Sequence, residues 1–127
     1  MSASLENATL ASPTPAHRVA LCEPDAPLAR LMSEWLRRAG LEPVPCSSRL
    51  TGADVIVVVA NVATPRLDGA AYIAALRTRF AGARVLAISG YFITSGAATL
   101  AHELGADALL AKPFSCACFL EAVRALL

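Results

Sequence analysis

Charge of one sign, aromatic side chains and long apolar runs are all scarce in this sequence. Lysine and arginine outnumber aspartate and glutamate by one, for a formal net charge of +1. Proteins that bind nucleic acid or an anionic membrane usually carry a clear positive patch, so we expect neither partner. The longest apolar run, from Ala70 to Leu76, is far too short to cross a bilayer. No basic and then apolar signal-peptide pattern opens the chain, which predicts a cytoplasmic protein.

Cysteine occurs four times, but its spacing does not indicate a metal site. Cys116 and Cys118 form a C-x-C pair, and no second Cys/His pair completes a zinc site. Cys22 and Cys46 fall at the ends of predicted strands, where small buried thiols are common. We expect all four to be reduced structural thiols rather than metal ligands or redox-active groups. The two histidines lack ligand-like partners and should be solvated.

Length and composition predict one aliphatic domain with a short tail. A chain of 127 residues fits a single domain, and its 56% hydrophobic but only 6% aromatic content requires an aliphatic core. Residues 1–16 are rich in Ser, Thr, Ala and Pro and show no sustained period. We expect this segment to be a flexible tail, which leaves 17–127 as the folded domain.

From residue 18 onward, strand-like and helix-like patterns alternate. Short apolar runs bounded by polar residues predict five strands, at 19–22, 41–46, 55–60, 85–89 and 108–111. Helical spacing follows four of these runs, and the alternation predicts an α/β domain with a doubly wound parallel sheet. The second strand contains Pro43 and Pro45, which suit only a sheet edge. The inward faces of the last three helices should carry apolar residues such as Ile73, Leu76, Phe80, Leu100, Leu104, Phe119, Leu120, Val123, Leu126 and Leu127.

Residue types at the helix ends predict where each helix begins and stops. Asp25 and Ser115 are good N-cap residues for the first and last helices, and Asp68 should cap the helix after the third strand. Gly40 and Gly105 are typical helix stops.

The connection between the second and third strands is unusually short. Only Ser47 to Asp54 lies there, whereas a helical crossover normally needs at least about ten residues. We expect the second helix of the fold to be absent or reduced to a single turn. One patch of the sheet would then lack its cover, and an uncovered apolar patch tends to recruit a partner.

Polar residues follow four of the predicted strands, at one edge of the sheet. They are Glu23-Pro24-Asp25, Asn61, Ser89 and Lys112. Open α/β sheets place their chemistry at the carboxyl ends of the strands, in the crevice at the switch point. An aspartate at position 61 could accept a phosphoryl group as a nucleophile, but asparagine cannot, because its amide has no anionic oxygen.

Three segments of the chain match one known family in order and spacing. Residues 28–40, ending in Arg-Arg-Ala-Gly, look like a first helix and its exit, and residues 65–69 look like the loop after a phosphoacceptor. Gly105-Ala106-Asp107, followed by Lys112-Pro113-Phe114, looks like the same family's ending. Over residues 18–127 the chain resembles the receiver domain of bacterial two-component response regulators. The resemblance implies a flavodoxin-like fold with strand order 2-1-3-4-5.

When the functional residues of the family are matched to this sequence one by one, several positions carry a different residue type. Its acidic pair falls on Glu23 and Pro24, so a direct magnesium ligand is missing. Its phosphoacceptor falls on Asn61, and its aromatic switch residue falls on Leu109, which has no ring to swing inward. We therefore expect no phosphorylation at Asn61.

The remaining groups of the crevice have both structural and functional interpretations. Ser89 matches the family's phosphoryl-contacting Ser/Thr, but satisfying a neighbouring backbone group is an equal alternative. Lys112 matches the phosphate-pairing lysine, although we favour an ion pair with Glu23, and the resemblance implies a cis peptide before Pro113. Asp25 is a helix cap rather than a metal ligand in our interpretation, so magnesium should bind weakly or not at all and we expect no cofactor.

We therefore predict an atypical single-domain receiver, not an enzyme, that acts in two-component phosphorelay signalling by binding other proteins. Partners would be a histidine kinase, a phosphotransferase, another regulator or a second copy, and we expect no output domain after the last helix. Tyr91 and Phe92, in the loop after the fourth strand, are either buried or part of the partner surface. The main alternative is a small-anion or nucleotide sensor that uses Lys112 and Ser89. A regulator phosphorylated on Asp25 through an unusual geometry is a third hypothesis.

Overall fold

The computed structural model describes residues 17–47, 49, 54–63, 68–90 and 97–127. Three sequence-based expectations fall on other residues and lie outside the described part of the chain. They are the flexible tail at 1–16, most of the shortened connection at 47–54, and the partner surface at Tyr91 and Phe92.

Five parallel strands form a single sheet, with β3 in the centre. The strands are β1 Arg18–Cys22, β2 Glu42–Pro45, β3 Val55–Asn61, β4 Arg84–Ser89 and β5 Ala108–Ala111. Their spatial order is β2-β1-β3-β4-β5, which confirms the flavodoxin-like order and the doubly wound class. The edge position of β2 follows from its two prolines, which cannot donate to a neighbour on each side.

Helices follow four of the strands and begin and end close to the predicted positions. They are α1 Ala26–Arg38, α2 Ala70–Arg79, α3 Ala97–Leu104 and α4 Cys116–Arg124. Asp25 caps α1 by accepting the Leu28 N–H at 3.5 Å, and Ser115 caps α4 by accepting the Cys118 N–H at 3.1 Å. No helix in the described ranges is long and apolar enough to cross a membrane.

The expectation that Asp68 caps α2 is wrong. The N-cap of that helix is Gly69, which has no side chain that could cap it. A side-chain cap needs an extended backbone at the capping residue. Gly69 already has helical angles, φ −58° and ψ −47°, so the chain enters α2 without that geometry.

The core lies on both faces of the sheet and follows the alternation of side chains along β3. Val57 and Val59 face α1 and α4, whereas Val58 and Ala60 face α2 and α3. The expected inner residues of α2 and α4 are buried or partly buried, but Leu127 is 47% exposed, contrary to expectation. The reason is that α4 ends at Arg124, so the last residue no longer follows the helical face. Three of the few aromatic residues pack together between α1 and α4, namely Trp35, Phe114 and Phe119.

Cys22 and Cys46 form a disulfide, so the expectation of reduced thiols at these positions is wrong. The two Cα atoms lie 4.8 Å apart, within the range that a disulfide can span. Parallel pairing brings them together, because Leu21 is in register with Pro45 and each cysteine is the next residue. Cys116 and Cys118 are free, and Cys118 is exposed.

At the amino ends of β4 and β5, Asp107 joins three elements. Its Oδ2 accepts the Val85 N–H at 2.7 Å and lies 2.9 Å from Nη2 of Arg77 on α2. Arg77 Nε also donates to the Gly105 carbonyl at 2.7 Å. Burial alone would raise the pKa of Asp107, but the Val85 N–H and the Arg77 guanidinium hold it below its usual value. This contact anchors α2 to the loop that enters β5.

Candidate functional site

The strand register places the predicted polar residues side by side at the carboxyl edge of the sheet. The pairs at this edge are Cys22 with Ala60, Asn61 with Ile88, and Ser89 with Ala111. Glu23 therefore follows β1 beside the end of β3, and Lys112 follows β5 beside Ser89. The Lys112 N–H donates to the Ser89 carbonyl at 2.8 Å, which fixes where the chain leaves β5.

Lys112 and Glu23 form an ion pair across this edge. Nζ of Lys112 lies 2.7 Å from Oε1 of Glu23. The Glu23 side chain is only 1% exposed, whereas that of Lys112 is 24% exposed. Oε2 accepts the Asp25 N–H at 3.0 Å, while no directed hydrogen bond from the described residues reaches Oε1. The lysine is therefore the charge partner that makes burial of this carboxylate tolerable.

Asn61, Ser89 and Leu109 occupy the positions that the sequence predicts for them. Asn61 is the last residue of β3 and is partly exposed, so an amide and not a carboxylate faces the crevice. Ser89 is 1% exposed at the end of β4. Leu109 lies in β5 and packs against the cluster that α2 and α3 cover. The Lys112–Pro113 peptide is cis, as the resemblance implies.

Tyr72 borders the site, and sequence analysis did not single it out. It lies in the first turn of α2, which begins soon after the loop that follows β3. Partial burial, and then the negative charge of Glu23, raise the pKa of its phenol. The sequence feature that could have identified Tyr72 is its position at the start of a helix that follows the carboxyl edge of the sheet. An aromatic residue at such a position is more often packed in the core.

An open recess of about 380 Å³ lies between the ends of β1 and β2 and the start of α2. Its walls include both sulfur-bearing residues of the disulfide, together with Glu23, Pro24 and Tyr72. The sequence predicted that two strands end at this recess. It did not predict the disulfide, because a cysteine at a strand end is equally consistent with a buried thiol.

The donor atoms at this edge do not fit a magnesium site of the receiver kind. Magnesium prefers several oxygen ligands in an octahedral arrangement. The Glu23 carboxylate is paired with Lys112, Pro24 has no side-chain donor, and the Asp25 carboxylate caps α1. Among the described residues, no cluster of three or more Asp, Glu, His or Cys side chains is placed to hold a metal ion. At the end of β3, the Asn61 amide has no anionic oxygen that could act as a nucleophile.

Solved structures similar to this chain share one architecture. The orphan response regulator HP1043 of H. pylori covers 91% of this chain and 99% of its own, at 20% identity and a TM-score of 0.69. The chemotaxis protein CheY4 of Vibrio cholerae covers 89% and 100%, at 18% identity and a TM-score of 0.69. The chain has the response regulator receiver fold.

A third similar receiver, a CheY-like protein from Methanospirillum hungatei JF-1, covers 87% of this chain and 93% of its own. Its identity is 16% and its TM-score is 0.68. No family model and no curated protein matches the sequence. At such identities the likeness establishes the receiver fold alone.

Proposed function

We propose that this chain is an atypical receiver that works in two-component signalling through protein–protein interaction and does not accept phosphate at Asn61. The fold supports the signalling class, since the similar structures are receivers. The ion pair between Lys112 and the buried Glu23 carries the rest of the proposal. It fills the crevice with a contact that needs no phosphate.

Two physical reasons make phosphotransfer unfavourable here. The position at the end of β3 offers an amide, which has no anionic oxygen to attack a phosphorus atom. Lys112 would also have to leave Glu23 to reach a phosphate, and a carboxylate that is 1% exposed would lose its charge partner. Leaving one buried charge unpaired costs several kcal/mol, roughly 3–5.

The protein therefore acts by binding rather than by catalysis. We propose a cytoplasmic module whose partner is a histidine kinase, a phosphotransferase, another regulator or a second copy of the chain. With Leu109 in place of an aromatic switch and an amide at Asn61, the surface of α3, β5 and α4 stays in one conformation. Such a surface would be presented constitutively rather than after phosphorylation.

Incubation with acetyl phosphate and magnesium, followed by intact mass measurement, tests this proposal. We expect no stable gain of a phosphoryl group, whereas a phosphorylatable receiver in the same reaction gains one. A gain on any native residue, Asp25 included, would overturn the proposal. The matched variant Asn61→Asp restores the nucleophile, and we expect modest metal-dependent phosphorylation limited by Pro24.

The alternative, a small-anion or nucleotide sensor, depends on a free Lys112. The contact with Glu23 at 2.7 Å counts against it, because the lysine is already engaged. A thermal-shift comparison with phosphate and with nucleotides separates the two functions. The interaction module predicts an unchanged melting temperature, and a concentration-dependent rise would favour the sensor.

A further inference from the structure

The disulfide between Cys22 and Cys46 is accessible from the open recess at the carboxyl edge. Cys22 is 5% exposed, while Cys46 is partly exposed just beyond the end of β2. Both border the open recess of about 380 Å³. Of the two cysteines, Cys46 is therefore the more exposed residue for a small thiol that enters this recess.

The charges around the recess do not oppose an incoming thiolate. Glu23 is the one carboxylate in its wall among the described residues, and its charge is balanced by Lys112 at 2.7 Å. The other neighbours of the disulfide there include Pro24, Pro45 and Tyr72, which carry no charge at neutral pH. An anionic sulfur nucleophile can approach without strong repulsion.

Besides the disulfide, β2 is held by parallel pairing with β1, by the buried Val44 and, at its amino end, by the ion pair of Glu42 with Arg18. β2 has four residues, and its two prolines have no N–H groups. At its carboxyl end, the Cys46 N–H donates to the Leu21 carbonyl at 3.2 Å. The cross-link is thus the strongest connection between this end of β2 and the rest of the sheet.

We propose that Cys22–Cys46 is a thiol-exchange site, at which a small dithiol reductant cleaves the bond and releases the carboxyl end of β2. This proposal goes beyond signalling by protein binding and does not depend on the chemistry of Asn61. It rests on the cytoplasmic location proposed above, because disulfides that occur in reducing compartments are usually transient and serve in catalysis or redox sensing.

The proposed thiol exchange reduces the disulfide in two steps. A thiolate of the reductant attacks Sγ of Cys46, forming a mixed disulfide and releasing Cys22 as a thiolate, which takes a proton from water. The second thiol of the reductant, as its thiolate, then attacks the reductant's own sulfur in the mixed disulfide and closes a cyclic disulfide. Cys46 leaves as a thiolate and is protonated. The reductant loses two electrons, and the protein gains two thiols.

The rate law of reduction tests the site directly. The Cys116→Ser/Cys118→Ser variant leaves only the paired cysteines, and oxidised samples are treated with dithiothreitol under native conditions, alkylated and weighed. We expect the reduction rate to rise in proportion to dithiothreitol concentration and to stay the same in a low urea concentration that increases the unfolded population. A rate that rises with urea in step with the unfolded population would overturn the proposal. A rate that reaches a plateau equal to the global unfolding rate would overturn the proposal, because the bond would then be reached only in unfolded protein.

Two further measurements locate the attack and its consequence. With the monothiol glutathione, peptide mapping should find the mixed disulfide on Cys46, and a product mainly on Cys22 would contradict the assigned direction. After reduction, hydrogen exchange at Val44 and Cys46 should accelerate by on the order of tenfold, with Val85 unchanged. Unchanged exchange at these β2 amides would refute release of the strand. The Cys22→Ala/Cys46→Ala variant should show no response to dithiothreitol.

Discussion

The two edges of the sheet use similar ion pairs in different environments. At the carboxyl edge, Lys112 pairs with a Glu23 side chain that is 1% exposed. At the amino edge, Arg77 pairs with an Asp107 side chain that is 26% exposed and that also accepts a backbone N–H. The first pair joins the residues that follow β1 and β5, whereas the second anchors a helix to a loop.

The difference shows how burial decides what an ion pair does. An exposed pair contributes little on its own, and Asp107 contributes to the fold mainly because it also satisfies the Val85 N–H. A buried carboxylate, by contrast, strongly destabilises the fold when it loses its charge partner. In this chain, the lysine at the carboxyl edge is therefore the charge partner of a buried carboxylate.

The largest effect should come from breaking the pair at the carboxyl edge. We expect Lys112→Met to lower the free energy of unfolding by about 4 kcal/mol, because it leaves a buried carboxylate uncompensated. Urea denaturation at neutral pH measures this loss. In the double variant Glu23→Gln/Lys112→Met, neither charge remains, and most of the stability should return. If the double variant is as unstable as the single one, charge burial is not the reason.

A somewhat smaller effect should come from opening the disulfide at the same edge. It joins two residues that are 24 positions apart in sequence, and cross-links of this span contribute about 3 kcal/mol. In the Cys116→Ser/Cys118→Ser background, oxidised protein should unfold at a higher urea concentration than reduced protein. Identical midpoints would mean that the cross-link does not stabilise the fold. The Cys22→Ala/Cys46→Ala variant serves as the control that cannot respond.

The smallest effect should come from the amino edge. Asp107→Ala leaves the Val85 N–H without an acceptor and should cost about 1.5 kcal/mol in urea denaturation. Asp107→Asn keeps an oxygen acceptor and should cost less. An equal loss in both variants would show that the charge, and not the backbone hydrogen bond, accounts for the contribution.

Asp107 also predicts the direction in which the stability of the fold changes with pH. Its folded pKa is depressed, so its carboxylate stabilises the fold above the unfolded value near 4, and that contribution is lost as the pH falls through the folded pKa. The stability difference between wild type and Asp107→Asn should shrink as the pH is lowered from 7 to below about 3. A constant difference over this interval would contradict the assignment.

Much of the fold followed from short stretches of sequence. The strand and helix alternation, the edge position of β2 and the caps at Asp25 and Ser115 were all correctly predicted. These features depend on hydrophobic period and on residues that bond to their own neighbouring backbone, which are local properties. The expectation for Asp68 failed because the backbone at Gly69 was already helical, a detail that residue type does not specify.

By itself, the sequence determined that the third strand ends in Asn61, and with it the absence of a carboxylate nucleophile there. It also determined that Glu23 and Lys112 follow strands, and hence that they lie at one edge. Only the tertiary structure decided that Cys22 bonds to Cys46 and that Tyr72 stands beside the crevice. The first requires the register of two parallel strands and the second the docking of α2 on the sheet. Both depend on contacts between residues far apart in the chain.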